Sequence, residues 1–194
     1  MNHIFATAAF FVLLSGGAFA AEPSVIGDWM VKEGYGIVRI DNCNGKMWGI
    51  LSWEKAPGFD NENPDPGKKG RPLLGTPVLM GLAPVKDEPG KWRGEVYNSQ
   101  NGKLYGATIS LADENTLDMQ GCLIWPACRT EQWTRVTTPP PNATPLPPIK
   151  GAKGPVNSKQ AAAKKGPAAA QPSDTCLRVA AEQAGTADGA TAKK

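Results

Sequence analysis

Acidic and amide side chains crowd one short stretch of the sequence and are the first candidates for chemistry. Asp60-Asn61-Glu62-Asn63-Pro64-Asp65-Pro66 is followed five residues later by Arg71. Carboxylate and amide oxygens are the ligands that Ca²⁺ prefers in proteins. An EF-hand loop is excluded, because it would begin on uncharged Asn61, carry Pro66 in place of the required glycine, and lack a glutamate at its twelfth position.

The same stretch has a simpler interpretation as a rigid turn, with a looser calcium site as the alternative. Asn-Pro and Asp-Pro both initiate turns and limit chain freedom. The surrounding segment 55–76 is long for a connection in a compact domain, and loops of this length are often functional. We therefore assign no metal. We predict that Asp65 pairs with Arg71 and that this ion pair fixes the loop across the barrel mouth, either as a structural staple or as the frame of a binding site.

A second candidate set is aromatic and falls on predicted strands. Small residues such as Gly94, Gly106 and Ala107 lie beside large rings, which predicts either a cavity or a filled core. Together with the acidic stretch they give the candidate ligand-binding residues, which are Trp53, Asp60, Asn61, Asn63, Asp65, Arg71, Trp92, Tyr97 and Tyr105.

Histidine chemistry is excluded by composition. The only histidine is His3, which lies in a predicted leader that is removed. The mature chain therefore has no Ser-His-Asp or Cys-His catalysis and no imidazole zinc site. Carboxylates are available for hydrolysis, but their spacing selects no pair. We assign no catalytic residue and no cofactor.

Four cysteines, Cys43, Cys122, Cys128 and Cys176, allow three disulfide pairings. Cys122 and Cys128 are near neighbours that flank Pro126, so a local bridge between them is the preferred pairing. Cys43 and Cys176 then remain, either as a second bridge or as reduced thiols.

The N-terminus has the pattern of a cleaved secretory signal. Residues 4–19 are almost wholly apolar or small, and Ala18-Phe19-Ala20 fits a signal-peptidase site with cleavage after Ala20. The apolar run is short for a membrane span, and no later stretch is long enough. We therefore predict a signal peptide at 1–20 and export to the periplasm or the medium.

The rest of the chain divides into a folded body, 21–138, and a tail, 139–194. Residues 22–138 carry 13 basic and 15 acidic side chains, whereas 139–194 carry 8 and 3. A slightly acidic body does not fit a nucleic-acid-binding domain. The tail is rich in Pro, Ala, Lys and Gly and is predicted to be disordered. A short helix around 174–184 is an alternative there, although a lone helix of that length is marginal.

Short strand patterns separated by turn residues fill the body. They span 25–33, 36–42, 46–54, 77–83, 91–98, 103–112, 116–121 and 130–137. Asn44-Gly45 and Asn101-Gly102 are strong hairpin signals. Eight strands in a domain this small predict an all-β fold, a small antiparallel lipocalin-like barrel whose closure removes exposed strand edges.

Residues at the two ends of the body support closure. Gly27-x-Trp29 opens the first strand, and Trp133-x-Arg135 lies in the last. In lipocalin-like barrels a tryptophan from the first strand is covered by an arginine from the last. We predict a cation–π contact between Trp29 and Arg135 where the strands meet.

A longer series of motifs follows in order along 25–137: Gly27-x-Trp29, Cys43, Gly49-Ile50-x-x-Trp53, Asn63-Pro64-Asp65-Pro66, Arg71-Pro72-Leu73-x-Gly75, Trp92-x-Gly94, Tyr97, Asn101-Gly102-Lys103-x-Tyr105, Leu117, Gly121-Cys122 and Trp133-Thr134-Arg135. This series resembles the bacterial exported family called domain of unknown function 2147. The resemblance implies a Gram-negative periplasmic or secreted protein and brings no established activity. Members often carry a second cysteine just after the first, where this chain has Trp48.

These observations favour a non-enzymatic protein of the cell envelope that binds a small apolar or amphipathic molecule at the barrel mouth. An envelope component is a further candidate partner. Two other functions stay open: an envelope-polymer hydrolase that uses carboxylate or Ser/Lys chemistry, and a structural or protein-interaction module.

Overall fold

The computed structural model describes residues 23–124, 126–149 and 172–191, with side chains to residue 184 in the last segment. The predicted signal peptide at 1–20 lies outside the described residues, as do residues 150–171 of the tail. No helix in the described part of the chain is long and apolar enough to cross a membrane.

Eight antiparallel strands form a closed barrel in which each strand pairs with its neighbours in sequence and the last returns to the first. The strands are β1 (Gly27–Met30), β2 (Gly36–Cys43), β3 (Lys46–Glu54), β4 (Pro77–Pro84), β5 (Trp92–Asn98), β6 (Lys103–Asp113), β7 (Thr116–Ile124) and β8 (Ala127–Val136). The predicted up-and-down barrel is therefore confirmed.

Local sequence explains the tight turns. Asn44 and Gly45 join β2 to β3 with φ of 55° and 83°, which is the left-handed pair that a two-residue hairpin turn requires. β7 and β8 extend further than predicted, to residue 124 and from residue 127. The Cys122–Cys128 disulfide joins directly paired residues there and keeps the two strands together almost to the turn.

The barrel interior is a filled apolar core. Its fully buried members include Trp29, Ile40, Leu79, Leu82, Ile109 and Leu117. Gly94 permits β5 to lie close to β4, because a Cβ atom there would come within 2.8 Å of the Leu82 Cα. Of the two sequence-based alternatives, cavity or packed core, the described residues match the packed core at the centre of the barrel.

One helix lies outside the barrel and corrects part of the tail prediction. α1 (Asp174–Thr191) packs on β2, β3 and β4, so these residues are not disordered. Thr175 and Val179, one turn apart, are buried. Cys176 forms a disulfide with Cys43 at the end of β2. The helix is stable because it is not alone: the disulfide and the buried side chains supply what a lone helix of this length lacks.

Candidate functional site

The two ends of the barrel are built differently. One end, here called the closed end, contains the β2–β3, β4–β5 and β6–β7 turns and the start of β1. The other, the loop end, contains the connections 31–35, 55–76 and 99–102 and the turn between β7 and β8. The long acidic segment, 55–76, therefore lies at the loop end.

Trp29 and Arg135 seal the closed end. The Arg135 guanidinium lies 4.1 Å from the centre of the Trp29 ring, which confirms the predicted cation–π contact. The same guanidinium donates hydrogen bonds to the carbonyl oxygens of Ser24, Ile26 and Glu114. A side chain at Gly27 would collide with Arg135, since its Cβ would lie 2.9 Å from Nη1. Trp133, also singled out from the sequence, is buried in the core beside this contact.

A buried carboxylate organises the long loop. Asp60 is fully buried, and its oxygens accept hydrogen bonds from Tyr97 Oη at 2.5 Å and Asn63 Nδ2 at 2.7 Å. Arg71 Nε donates to Asp60 Oδ2 at 3.2 Å. A buried charge is costly unless it is paired and hydrogen-bonded, and Asp60 has both a cation and two neutral donors.

The prediction that Asp65 pairs with Arg71 is wrong. Arg71 pairs with Asp60 on one side and with Glu182 of α1 on the other, at 2.8 and 2.9 Å. Asp65 instead accepts a hydrogen bond from the Gly67 amide and lies 4.0 Å from Lys68. The reason is the backbone pairing of Phe59 with Pro72, which puts residue 60, rather than residue 65, opposite residue 71.

The loop leans on the outer side of the neighbouring hairpin. Tyr97 faces outward, because its neighbour Val96 packs against the core. The Glu62 carbonyl lies against Gly102 in the β5–β6 turn so closely that no side chain would fit there. Asn61 is exposed and makes backbone contacts within the loop. The loop contacts the outward-facing Tyr97 and the β5–β6 turn, so the Asp60 cluster braces the loop to the rim of the barrel and does not fix it across the barrel mouth.

The Asp60 cluster shifts the pKa of two side chains, Tyr97 and Glu182. Burial, together with the hydrogen bond to the Asp60 carboxylate, raises the pKa of Tyr97 to about 12. Burial alone would raise the pKa of Glu182, but hydrogen bonds from Arg71 and Lys68 outweigh it and lower that pKa below its ordinary value. At neutral pH the cluster therefore contains a protonated tyrosine and an ionised glutamate.

The predicted aromatic residues do not form one site. Trp92 begins β5 at the closed end and packs on the core beside Ile109. Trp53 lies near the loop end of β3, where it pairs with Ile37. Tyr105 lies at the loop end of β6, and its hydroxyl accepts a hydrogen bond from Asn101. The structure thus brings together Asp60, Asn63, Arg71 and Tyr97, and leaves Trp92 at the far end of the barrel.

An apolar rim at the loop end was missed from the sequence. Of the six large hydrophobic side chains that are exposed among the described residues, only Ile26 lies at the closed end. The other five, here called the apolar rim, are Tyr35, Phe59, Leu104, Leu123 and Ile124. Leu123 and Ile124 are 67% and 72% exposed. The signal available in the sequence was the run Leu-Ile-Trp-Pro between two cysteines that a disulfide joins.

Two concavities of the described surface lie outside the core. One, of about 230 Å³, lies between α1, the segment at Pro148 and the residues before β4. The other, of about 490 Å³, is lined by Lys32, Asp118, Thr130, Glu131 and Gln132 beside the junction of β1 and β8. No cluster of three or more metal-binding side chains occurs in the described ranges.

An eight-stranded antiparallel barrel that is sealed at one end by a Trp–Arg contact has a lipocalin-like fold. A solved structure supports this assignment: protein HP1028 from the human pathogen Helicobacter pylori, described as belonging to the lipocalin family. The TM-score is 0.53 and the identity 20%, with 59% of this chain and 84% of that chain covered. This likeness concerns the fold.

The family follows from the sequence match. Residues 27–135 match the family described as "Uncharacterized protein conserved in bacteria (DUF2147)", and the chain belongs to this family. The resemblance noted from the ordered motifs is thereby confirmed. A search of curated proteins found no match.

Proposed function

We propose that this protein is a non-enzymatic binder that works in the bacterial cell envelope and takes a small apolar or amphipathic molecule at the loop end of its barrel. The observation that carries the proposal is the apolar rim. Exposed hydrophobic side chains are ordinary when scattered, but concentrated ones mark binding surfaces. Here five of six lie at one end.

Polar groups beside the rim favour an amphipathic ligand. Glu131 lies close enough to Tyr35 to contribute, after burial, to the raised pKa of that phenol. Tyr105 and Asn101 form a hydrogen-bonded pair at the same end. A few placed polar groups beside an apolar surface are typical of small-molecule sites, where they orient the ligand.

The closed end and the core set the depth of the site. Trp29, Trp133 and Leu117 fill the interior, and Arg135 covers it from below. A ligand would therefore rest on the rim and between the four connections, above the packed core. This arrangement suits a flat or chain-like molecule with one apolar face.

Export is the second part of the proposal. The signal peptide predicted at 1–20 would direct the chain to export. The two disulfides, Cys43–Cys176 and Cys122–Cys128, fit an oxidising compartment. N-terminal sequencing of protein from the native periplasm should begin at Ala21 or within a few residues of it. Protein recovered only from the cytosol and beginning at Met1 would contradict export.

The binding proposal is tested with 1-anilinonaphthalene-8-sulfonate, an amphipathic fluorescent probe. The folded wild-type protein should bind it saturably, and Tyr35→Ser together with Leu123→Ser should weaken binding about tenfold or more. Ile26→Ser is the matched control, since it removes the exposed hydrophobic residue of the closed end and should leave binding unchanged.

Native mass spectrometry of protein purified from its own periplasm gives the complementary readout, a co-purified small molecule. The proposal fails if the probe does not bind the folded protein, or if Ile26→Ser and the rim variant affect binding equally.

A further inference from the structure

The barrel is closed by a short seam between its first and last strands. β1 pairs with β8 through only three residue pairs, Asp28 with Val136, Trp29 with Arg135 and Met30 with Thr134. β8 begins seven residues earlier than Thr134, at Ala127, and pairs along that length with β7. Among the described residues, 127–133 therefore pair with β7 along one edge of β8 and with no strand along the other edge. An edge strand of this kind presents backbone donors and acceptors that can accept another strand.

A cleft runs beside this edge. After Met30 the chain turns back to β2. Lys32 in this turn lines a space of about 490 Å³ together with Asp118 of β7 and with Thr130, Glu131 and Gln132 of β8. Edge strands are usually blunted by charged side chains, a bulge, a proline or a covering element. Residues 127–133, Ala-Cys-Arg-Thr-Glu-Gln-Trp, contain no proline, and their two charged residues, Arg129 and Glu131, are of opposite sign.

We propose that the β8 edge pairs with the β8 edge of a second copy of this chain, antiparallel and centred on Thr130. The charge pattern selects this occupant. A two-fold axis at Thr130 puts Arg129 of each copy opposite Glu131 of the other, so the pairing forms two cross-strand ion pairs at once. Opposite charges directly across two antiparallel strands stabilise the pair, and like charges destabilise it.

The alternation of the strand agrees with this arrangement. Arg129 and Glu131 lie opposite Gly121 and Met119 of β7, on the same face of β8. Thr130 lies on the other face and would meet Thr130 of the second copy, which is a favourable cross-strand pair. Such a dimer places the two loop ends side by side and extends one sheet across both barrels.

Sedimentation velocity of the full chain over a wide concentration range tests the proposal. The wild-type protein should show a concentration-dependent monomer–dimer equilibrium. Arg129→Glu and Glu131→Arg should each raise the dimer dissociation constant about tenfold or more, because by symmetry each change produces two like-charge contacts. The double variant R129E/E131R restores both ion pairs in reversed order and should recover dimerisation.

Lys86→Glu is the matched control, because it reverses an exposed charge on the connection between β4 and β5 and should leave the dimer intact. Circular dichroism of each variant verifies that the barrel is folded. A wild-type chain that stays monomeric at the highest concentration overturns the proposal and leaves the edge to an extended segment of another protein. Failure of the double variant to recover dimerisation, with its barrel folded, also overturns it.

Discussion

The closed end and the loop end of this barrel are held together by different chemistry. At the closed end a fully buried Trp29 is covered by Arg135, whose guanidinium also donates hydrogen bonds to three backbone carbonyl oxygens. At the loop end a buried carboxylate, Asp60, is neutralised by Arg71 and connected through it to Glu182 on a helix outside the barrel. Packing and exposed apolar surface are thus separated in this fold: one end is packed, and the other is braced by charge and leaves large hydrophobic side chains exposed.

Removing the disulfide between the closed end and the helix should have the largest effect. Cys43 and Cys176 are 133 residues apart, whereas Cys122 and Cys128 are six apart. The loop-entropy relation assigns about 5 kcal/mol to the longer loop and about 2 kcal/mol to the shorter. Urea unfolding of C43S/C176S and C122S/C128S measures both losses. A larger loss for the short bridge would contradict this ranking.

Truncating the tryptophan of the closed end comes next. Trp29→Ala removes a completely buried ring and should lower the free energy of unfolding by about 3–5 kcal/mol. It also removes the partner of the Arg135 guanidinium. Chemical denaturation followed by circular dichroism is the measurement. An effect below about 1 kcal/mol would mean that the closed end is not the stable part of the barrel.

Removing the Arg71 side chain should destabilise the loop end. Arg71→Ala leaves the buried Asp60 carboxylate without its ion-pair partner, and this should cost about 3 kcal/mol. Lys68→Ala is the control: its pair with Glu182 is partly exposed, and its loss should cost about 0.2–1 kcal/mol. Equal effects of the two substitutions would show that Asp60 does not depend on Arg71.

Lowering the pH should destabilise the part of α1 that contacts the loop end before it destabilises the closed end of the barrel. The pKa of Glu182 is lower in the folded protein than its ordinary 4.5, so its stabilising contribution is complete above pH 4.5 and is lost as the pH falls through the folded value. Hydrogen exchange of the α1 amides from pH 6 to pH 3 should show protection falling by about tenfold or less. Glu182→Gln should remove this pH dependence, and a wild-type helix with constant protection would refute it.

The smallest effect is expected on the apolar rim. Ile124→Ser changes a side chain that is 72% exposed and should alter the free energy of unfolding by less than about 0.5 kcal/mol. Thermal unfolding measures the change. A large destabilisation would show that the rim is part of the packing and would break the separation between packing and exposed apolar surface.

Features that depend on short sequence patterns or on barrel closure could be predicted from the sequence. The eight strands follow from alternating hydrophobic residues between turn residues, and the Asn44-Gly45 turn has the left-handed backbone that this pair favours. The Trp29–Arg135 contact and the Cys122–Cys128 bridge were also predictable. Each involves residues that barrel closure or a short spacing brings together.

The candidate site was predicted less well, because its partners are set by pairing register and by distant contacts. Asp60 and Asp65 both precede Arg71 in an acidic run, and only the backbone pairing of Phe59 with Pro72 selects Asp60. Glu182 is 111 residues from Arg71, and no pattern near either residue indicates the other. The helix docks because Cys176 anchors it, from outside the part of the chain that matches the family.

The Cys43–Cys176 bond makes most of the polypeptide a covalent ring. Residues 43 to 176 form the circle, which includes β3 through β8. A protease that cuts one peptide bond within it opens the circle but releases nothing, since both fragments stay attached through sulfur. The nicked chain would differ in mass from the intact one by a single water molecule. Only cleavage followed by reduction would separate the helix from the barrel.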